Sequence, residues 1–336
     1  MRVLRGCVTL VCLLAAGFAR SSSAAGEGVT TKAANAAPAV SGKFAPASMA
    51  YVLQGEGLSK NRAEAVRLLA QCGRDLIVVD YSYDGGAGGK WTPEEIAAIR
   101  NGKPGRKVVA YISIGEAEDY RDYWKREWDK DKDGKPDPGA PAFLCAANPD
   151  WKGNYRVRYW NKDWQAIILR YVDAVVAQGF DGMYMDIVDG FEFFEEDKGD
   201  WIDNRPNPET GSTYRRDMIE WVKTLATRAR AQRKDFILIA QNASQLLEHP
   251  DYLETISAIG CEDLFTNGNK KQKTKETDYI LGFLKKAQGR IPILCIEYCK
   301  KPDLREFVMQ EARKNGIVLL ITDRNLKTLG ESGEKQ

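Results

Sequence analysis

The chain has 336 residues, with 49 Lys and Arg against 47 Asp and Glu, and a single histidine. This balance leaves no basic excess for binding nucleic acid, and a hydrophobic content of 43% is typical of a globular chain. One histidine, His249, excludes every metal site or nucleotide motif that needs two, so catalysis is expected to depend on carboxylates, Lys, Tyr or Cys.

The first 25 residues have the pattern of a secretory signal peptide. Arg2 and Arg5 precede an apolar stretch, 7–18, that is too short to span the hydrocarbon core of a bilayer as a helix. Small residues just before position 26 offer cleavage sites. We therefore predict a secreted or periplasmic protein with no membrane span. Residues 26–44, rich in Ala, Gly and Thr, are expected to form a flexible linker.

Downstream of the linker, eight short apolar runs alternate with helical patterns. The runs lie at 49–54, 75–81, 107–114, 180–187, 235–241, 257–265, 291–298 and 316–322. Eight such units predict an α/β fold, a single-domain (β/α)8 TIM barrel over 45–330. The alternative is a doubly wound open sheet, which usually has a Gly-rich phosphate-binding turn after its first strand. Residues 55–60 lack that pattern.

One long insertion, at about 119–162, is predicted between the third strand and its helix. Within it, Asp129 to Gly134 matches the first half of a calcium-binding loop, with an aspartate at every second position. Ala140 stands where an EF-hand has its bidentate glutamate, so the complete motif is absent. A bound calcium and a solvated turn are both open interpretations. The last residues, 331–336, are expected to be a disordered tail.

Five cysteines remain once the signal peptide is removed. Because five is odd, at least one thiol stays free or pairs between chains. Cys295 and Cys299 share strand parity with Glu297, and Cys261 is expected on the neighbouring strand. Two cysteines four residues apart do not have zinc-finger spacing, so packing or a disulfide is favoured over a metal site.

Acidic residues close at least six of the eight predicted strands. In a barrel of this kind the active site lies at the C-terminal ends of the strands, where such acids would gather. Two carboxylates that flank a bond across the barrel mouth suit the cleavage of glycosides, which needs neither histidine nor cofactor. Polar side chains at or near these ends are the candidate substrate-binding residues: Asp80, Tyr111, Glu116, Tyr184, Asp189, Asn242 and Glu297.

Three motifs, at 112–121, 153–160 and 179–186, resemble glycoside hydrolase family 114. The resemblance covers roughly residues 50–328 and implies a TIM barrel with endo-α-1,4-polygalactosaminidase activity. It also implies a catalytic pair, with Asp186 as nucleophile and Glu262 as general acid/base in a retaining mechanism. The first strand departs from the family pattern because it lacks a leading tryptophan, which bears on the identity of the substrate.

The expected partner is a polysaccharide, and the acidic rim favours a cationic one such as deacetylated galactosamine. No cofactor is expected. One alternative is a catalytically silent barrel that binds a polysaccharide or a surface partner. Another is a hydrolase that holds a metal ion with the acids of the rim.

Overall fold

The computed structural model of the protein describes residues 44–332. The predicted signal peptide and all but the last residue of the predicted linker lie outside the described residues. Across 44–332, no helix has both the length and the apolar character that a membrane crossing needs.

Eight parallel strands form the central sheet, and every one falls within an apolar run predicted from the sequence. They are β1 (Met49–Val52), β2 (Leu76–Asp80), β3 (Lys107–Ser113), β4 (Gly182–Asp186), β5 (Ile237–Gln241), β6 (Ala258–Glu262), β7 (Ile293–Glu297) and β8 (Val318–Ile321). Each strand pairs with the next in chain order. A doubly wound sheet reverses its strand order, so the predicted barrel is confirmed.

A helix follows each of the first seven strands. These helices are α1 (Arg62–Gln71), α2 (Pro93–Asn101), α3 (Lys162–Ala177), α4 (Tyr214–Gln232), α5 (Pro250–Thr255), α6 (Thr274–Leu284) and α7 (Pro302–Asn315). Local sequence sets their starts. Thr92 caps α2 in a reciprocal capping box with Glu95, and the Asn161 side chain accepts the Asp163 N–H at the start of α3.

Side chains alternate between the inside of the barrel and the layer beneath the helices. The inward-facing cluster contains Met49, Tyr51, Leu76, Val78, Val109, Tyr111, Tyr184, Ile237, Ile239, Ala258, Leu294, Ile296, Tyr298 and Leu320. The intervening residues pack against the helices in a larger cluster. This alternation decides which polar residue at a strand end can reach the barrel mouth.

The barrel closes at a seam between β1 and β8. A short strand, Glu331–Ser332, pairs antiparallel with β8. The Met49 N–H donates to Ser332 Oγ at 2.9 Å, and the Leu53 N–H donates to Leu326 O at 3.0 Å. Residues 331–336 are expected from the sequence to be a disordered tail, but Glu331 and Ser332 form this strand at the edge of the sheet.

Two insertions rise above the strand ends, where the sequence predicted one. The first insertion contains a three-stranded antiparallel sheet of Glu116–Glu118, Leu144–Ala147 and Asn154–Val157. The second insertion, between β4 and α4, contains the short helix Glu192–Glu195 and two small hairpins. It was not predicted because its elements are too short to show a helical or strand period.

Candidate active site

A cavity of about 790 Å³ opens at the C-terminal ends of the strands. The strand ends from β3 to β7 contribute Tyr111, Asp186, Gln241, Glu262 and Tyr298 to its wall. Both insertions and the segments that follow β6 and β8 supply much of the remaining wall. The predicted catalytic pair therefore lies in one cavity at the barrel mouth.

Asp186 is the last residue of β4 and is held through both carboxylate oxygens. The Tyr111 hydroxyl donates to Oδ2 at 2.9 Å, and the Ile187 N–H donates to Oδ1 at 2.8 Å. Burial raises the pKa of Asp186 to about 6 in spite of these hydrogen bonds, which favour the charged form. At neutral pH this carboxylate is mostly ionised, as a nucleophile must be.

Glu262 is the last residue of β6, and it receives a hydrogen bond from the Tyr298 hydroxyl. Burial, and next the negative charge of Asp186, raise the pKa of Glu262 to about 7. This carboxyl therefore keeps its proton to a higher pH than Asp186 does. Such a separation of two carboxyl groups is how an acid and a nucleophile are distinguished in one site.

The backbone turns sharply after three neighbouring strands. Ile187, Asn242, Ala243 and Asp263 follow β4, β5 and β6 with φ values of 54°, 58°, 54° and 51°. A left-handed conformation is uncommon for residues other than glycine and is a true outlier for a β-branched one. Each such residue costs about 1–3 kcal/mol, and such strain concentrates at active sites. Two of these turns, at Ile187 and Asp263, directly follow Asp186 and Glu262.

Three more of the predicted residues line the cavity. Glu116 is 2% exposed and accepts hydrogen bonds from Asn148 at 2.8 Å and Asn154 at 3.3 Å. Burial raises its pKa to about 7. Asp189 also lines the cavity, and burial raises its pKa well above the ordinary value. Asn242 accepts the Glu262 N–H at 3.3 Å, so it positions the backbone of Glu262.

Asp80 and Tyr184, which the sequence predicted to bind substrate, lie outside the cavity wall. Asp80 is fully buried and accepts two hydrogen bonds from Arg121, at 2.8 and 2.7 Å. Arg121 also donates to Glu118 at 2.6 Å, so this buried group ties the first insertion to the end of β2. Tyr184 is fully buried inside the barrel, where its hydroxyl donates to Gln241 Oε1.

Glu297 faces away from the cavity, contrary to the role predicted for it. Its carboxylate accepts the N–H groups of Phe265 and Thr266, at 2.7 and 3.2 Å, and so holds the loop after β6. The reason is strand parity: Ile296 and Tyr298 point into the barrel, so Glu297 between them points outward. Glu297 therefore supports the loop that follows Glu262 and does not line the cavity.

Glu118, Tyr298 and Glu192 were not selected from the sequence, yet all three border the catalytic pair or the cavity. Glu118 and Glu192 line the wall, and the Tyr120 hydroxyl donates to Glu118 at 2.6 Å. Because side chains along a strand alternate in direction, the choice of Glu116 could also have indicated Glu118. The same alternation could have indicated that Tyr298, and not its neighbour Glu297, points into the barrel. Glu192 lies in the second insertion, which gave no signal.

The acids of the rim do not converge as metal ligands. Within residues 44–332, the one group of three acidic, histidine or cysteine ligands close enough to share an ion is Asp129, Asp131 and Asp133, which do not line the cavity. The five cysteines of this segment are free thiols, although Cys261 and Cys295 are register partners on β6 and β7. The hypothesis of a metal held by the rim therefore has no ligand set among the described residues.

Two carboxyl groups in one cavity at the C-terminal mouth of a barrel are an arrangement that suits the class of barrel glycosidases. The chain belongs to glycoside-hydrolase family GH114, whose family model matches residues 30–336. It is thus a glycoside hydrolase, and the resemblance inferred from the three motifs is confirmed.

Individual relatives agree with this assignment. An uncharacterized protein of Deinococcus radiodurans is 35% identical over 257 residues, which cover 76% of this chain and 75% of that protein. The glycoside hydrolase domain of PelA from Pseudomonas aeruginosa matches with a TM-score of 0.60 at 19% identity, over 87% of this chain and 100% of that one. Aspergillus fumigatus Ega3, solved in complex with galactosamine, matches with a TM-score of 0.56 at 20% identity, over 90% and 99%. At these identities, the matches to the PelA domain and to Ega3 show that this chain shares their fold.

Proposed function

We propose that the protein hydrolyses an α-linked, polygalactosamine-like amino-sugar polysaccharide with retention of configuration. One observation carries the proposal: Asp186 and Glu262 end β4 and β6 in the same cavity, with pKa values raised to about 6 and about 7. The family supports the reaction type. The galactosamine bound to Ega3 supports the substrate class.

In the first step, Asp186 attacks the anomeric carbon while Glu262 gives its proton to the departing glycosidic oxygen. The hydrogen bonds from Tyr111 and the Ile187 N–H hold the Asp186 carboxylate in place for this attack. The products are a shortened chain with a free hydroxyl and a glycosyl ester on Asp186.

The second step follows from the electrostatic coupling of the two groups. Once Asp186 is an ester it has no charge, and the negative charge that raised the pKa of Glu262 is gone. The pKa of Glu262 therefore falls in the intermediate, and its carboxylate becomes a base. It takes a proton from water, the water attacks the anomeric carbon, and Asp186 leaves as a carboxylate.

The remaining acids of the cavity suit a substrate with protonated amines. Glu116, Asp189 and Glu192 line the same wall, and burial raises the pKa of each. An ammonium group placed beside them would favour their charged forms. Binding of a cationic sugar is thus coupled to the loss of protons from the cavity.

Asp186→Asn and Glu262→Gln test the catalytic pair. Each is expected to lower kcat by about a thousandfold or more, because neither amide can act as nucleophile or acid. The measurement is reducing-end release from a panel of amino-sugar polymers. Asp278→Asn and Glu254→Gln, on exposed helical positions, are the matched controls and should retain normal turnover.

Near-normal turnover of Asp186→Asn would contradict the assignment. Proton NMR of the first product distinguishes the stereochemistry, because a retaining enzyme releases the α-anomer from an α-linked chain. Tight binding of a polymer with no release of reducing ends by the unmodified protein would instead support a catalytically silent barrel.

A further inference from the structure

A second cluster of carboxylates lies in the first insertion, away from the catalytic cavity. Asp129, Asp131 and Asp133 each offer one oxygen, and these atoms lie within 4.8 Å of one another. Asp131 and Asp133 are exposed, whereas Asp129 is only 3% exposed. The turn closes at Gly134, where the Gly134 N–H donates to Asp129 Oδ2 at 3.0 Å.

One oxygen of Asp129 has no partner among the described residues. Oδ2 accepts a hydrogen bond from the Tyr155 hydroxyl at 2.5 Å in addition to the one from Gly134. Oδ1 is enclosed by the protein and accepts none. An enclosed, charged oxygen without a donor is costly unless a cation lies beside it.

We propose that this loop binds one calcium ion through Asp129, Asp131 and Asp133. Calcium takes six to eight oxygen ligands at about 2.3–2.6 Å, so ligands on opposite sides of the ion are about 5 Å apart. The three carboxylate oxygens all lie within 4.8 Å of one another, which is compatible with that geometry. Magnesium usually keeps several waters and binds through one or two carboxylates, so a loop that offers three carboxylates favours calcium.

A lysine near the cluster does not block the site. Lys135 Nζ lies 3.5 Å from Asp133 Oδ2, and both side chains are exposed, 79% and 45%. An exposed pair of this kind is worth about 0–1 kcal/mol, which is little beside the coordination of a divalent ion by three carboxylates. Calcium therefore displaces Lys135 or shares the Asp133 carboxylate with it.

The proposed site is connected to the wall of the cavity by one hydrogen bond and one strand. Tyr155, which donates to Asp129, belongs to the strand Asn154–Val157. Its neighbours Asn154 and Arg156 line the cavity, and Asn154 donates to Glu116 at 3.3 Å. Calcium in the loop thus fixes the strand that brings these side chains to the substrate.

Terbium, which replaces calcium at oxygen sites, is the probe for this proposal. Trp128 directly precedes Asp129, so excitation of tryptophan in the chelator-treated protein should produce terbium luminescence. The signal should saturate at one ion per chain and be displaced by calcium. Saturating calcium should also raise the Tm by about 5 °C over the chelated protein.

The double variant Asp131→Asn/Asp133→Asn is expected to lose both the luminescence and the calcium-dependent rise in Tm. Both positions are exposed, so the variant should fold, which circular dichroism verifies. Asp278→Asn, an exposed carboxylate on α6, should keep both signals. Coincident melting curves of the unmodified protein with calcium and with chelator would overturn the proposal. So would a double variant that retains the terbium signal and the calcium shift.

Discussion

Tyr111 and Tyr298 each donate to one member of the proposed catalytic pair, Asp186 and Glu262 respectively. Burial raises the pKa of both carboxyl groups, and each tyrosine opposes that rise because its hydroxyl stabilises the charged form. The result is a narrow range of pH, between about 6 and about 7, in which Asp186 is ionised and Glu262 still holds its proton.

We expect kcat/KM to follow a bell-shaped pH profile with limbs near pH 6 and pH 7. Below pH 6 the nucleophile Asp186 becomes protonated, and above pH 7 the acid Glu262 loses its proton. Tyr111→Phe should move the acidic limb to higher pH, and Tyr298→Phe should move the alkaline limb to higher pH. Initial rates from pH 4.5 to 8.5 measure both.

Each of the two phenylalanine variants is the control for the other. A loss of activity caused only by disturbed packing would lower the whole profile without moving either limb. If both variants displaced the same limb, the assignment of one tyrosine to each carboxylate would be refuted.

At the scale of single elements, β6 depends on a close approach at Gly260. A Cβ there would lie 2.2 Å from the Tyr184 hydroxyl and 2.5 Å from Gln241 Oε1. Both atoms belong to a buried pair that supports the floor of the site. The absence of a side chain at this point is what allows β4, β5 and β6 to come together.

Gly260→Ala is therefore expected to destabilise the protein by about 1–3 kcal/mol through overpacking. Gly282→Ala, on the exposed side of α6, is the matched control and should stabilise by up to about 1 kcal/mol, because nothing lies within 4 Å of its added Cβ. Thermal melting should show shifts of opposite sign. An unchanged or higher Tm for Gly260→Ala would contradict the inferred crowding.

Short apolar runs predicted all eight barrel strands, because buried parallel strands are apolar along their whole length. Position at a strand end, together with the family resemblance, indicated Asp186, Glu262 and Glu116. The predicted direction of the Glu297 side chain was wrong. Glu297 ends a strand as Glu262 does, but its side chain faces the helices. The second insertion was not predicted, since hairpins of two-residue strands carry no period.

For the whole molecule, buried glutamates make stability depend on pH. Burial raises the pKa to about 7 in Glu116, Glu192, Glu262 and Glu297, against an ordinary value of 4.5. At pH values between 4.5 and about 7, the folded state therefore binds more protons than the unfolded chain does. The free energy of unfolding therefore decreases as the pH rises from about 4.5 to about 7.

We expect the Tm to be higher at pH 5 than at pH 7.5, by about 5 °C. Groups with a lowered pKa, such as Asp251, change their protonation only at lower pH, so they do not contribute to the difference in Tm between pH 5 and pH 7.5. Glu116→Gln should reduce the drop, because it removes one of the contributing groups. A Tm that rises over the same interval would show that these carboxyl groups are not buried as described.

The signal-peptide pattern of the first 25 residues is tested by the mass of the exported protein. Cleavage after Ala24 or Ala25 should leave a chain that begins at Ala25 or Gly26, because small residues precede both positions. Intact mass spectrometry of the secreted or periplasmic fraction measures this. A protein that retains Met1 to Ala24 in that fraction would contradict the prediction.

The seam of the barrel determines when folding can finish. The hydrogen bond from Met49 to Ser332 joins residues 283 positions apart, so closure has to wait until the chain has been synthesised as far as Ser332. Contacts this distant in sequence form slowly. Until they form, β1 and β8 keep unpaired N–H and C=O groups along one edge, and such edges pair with other chains. The incompletely closed barrel is thus the species most exposed to aggregation, and the yield of refolding should fall as the protein concentration rises.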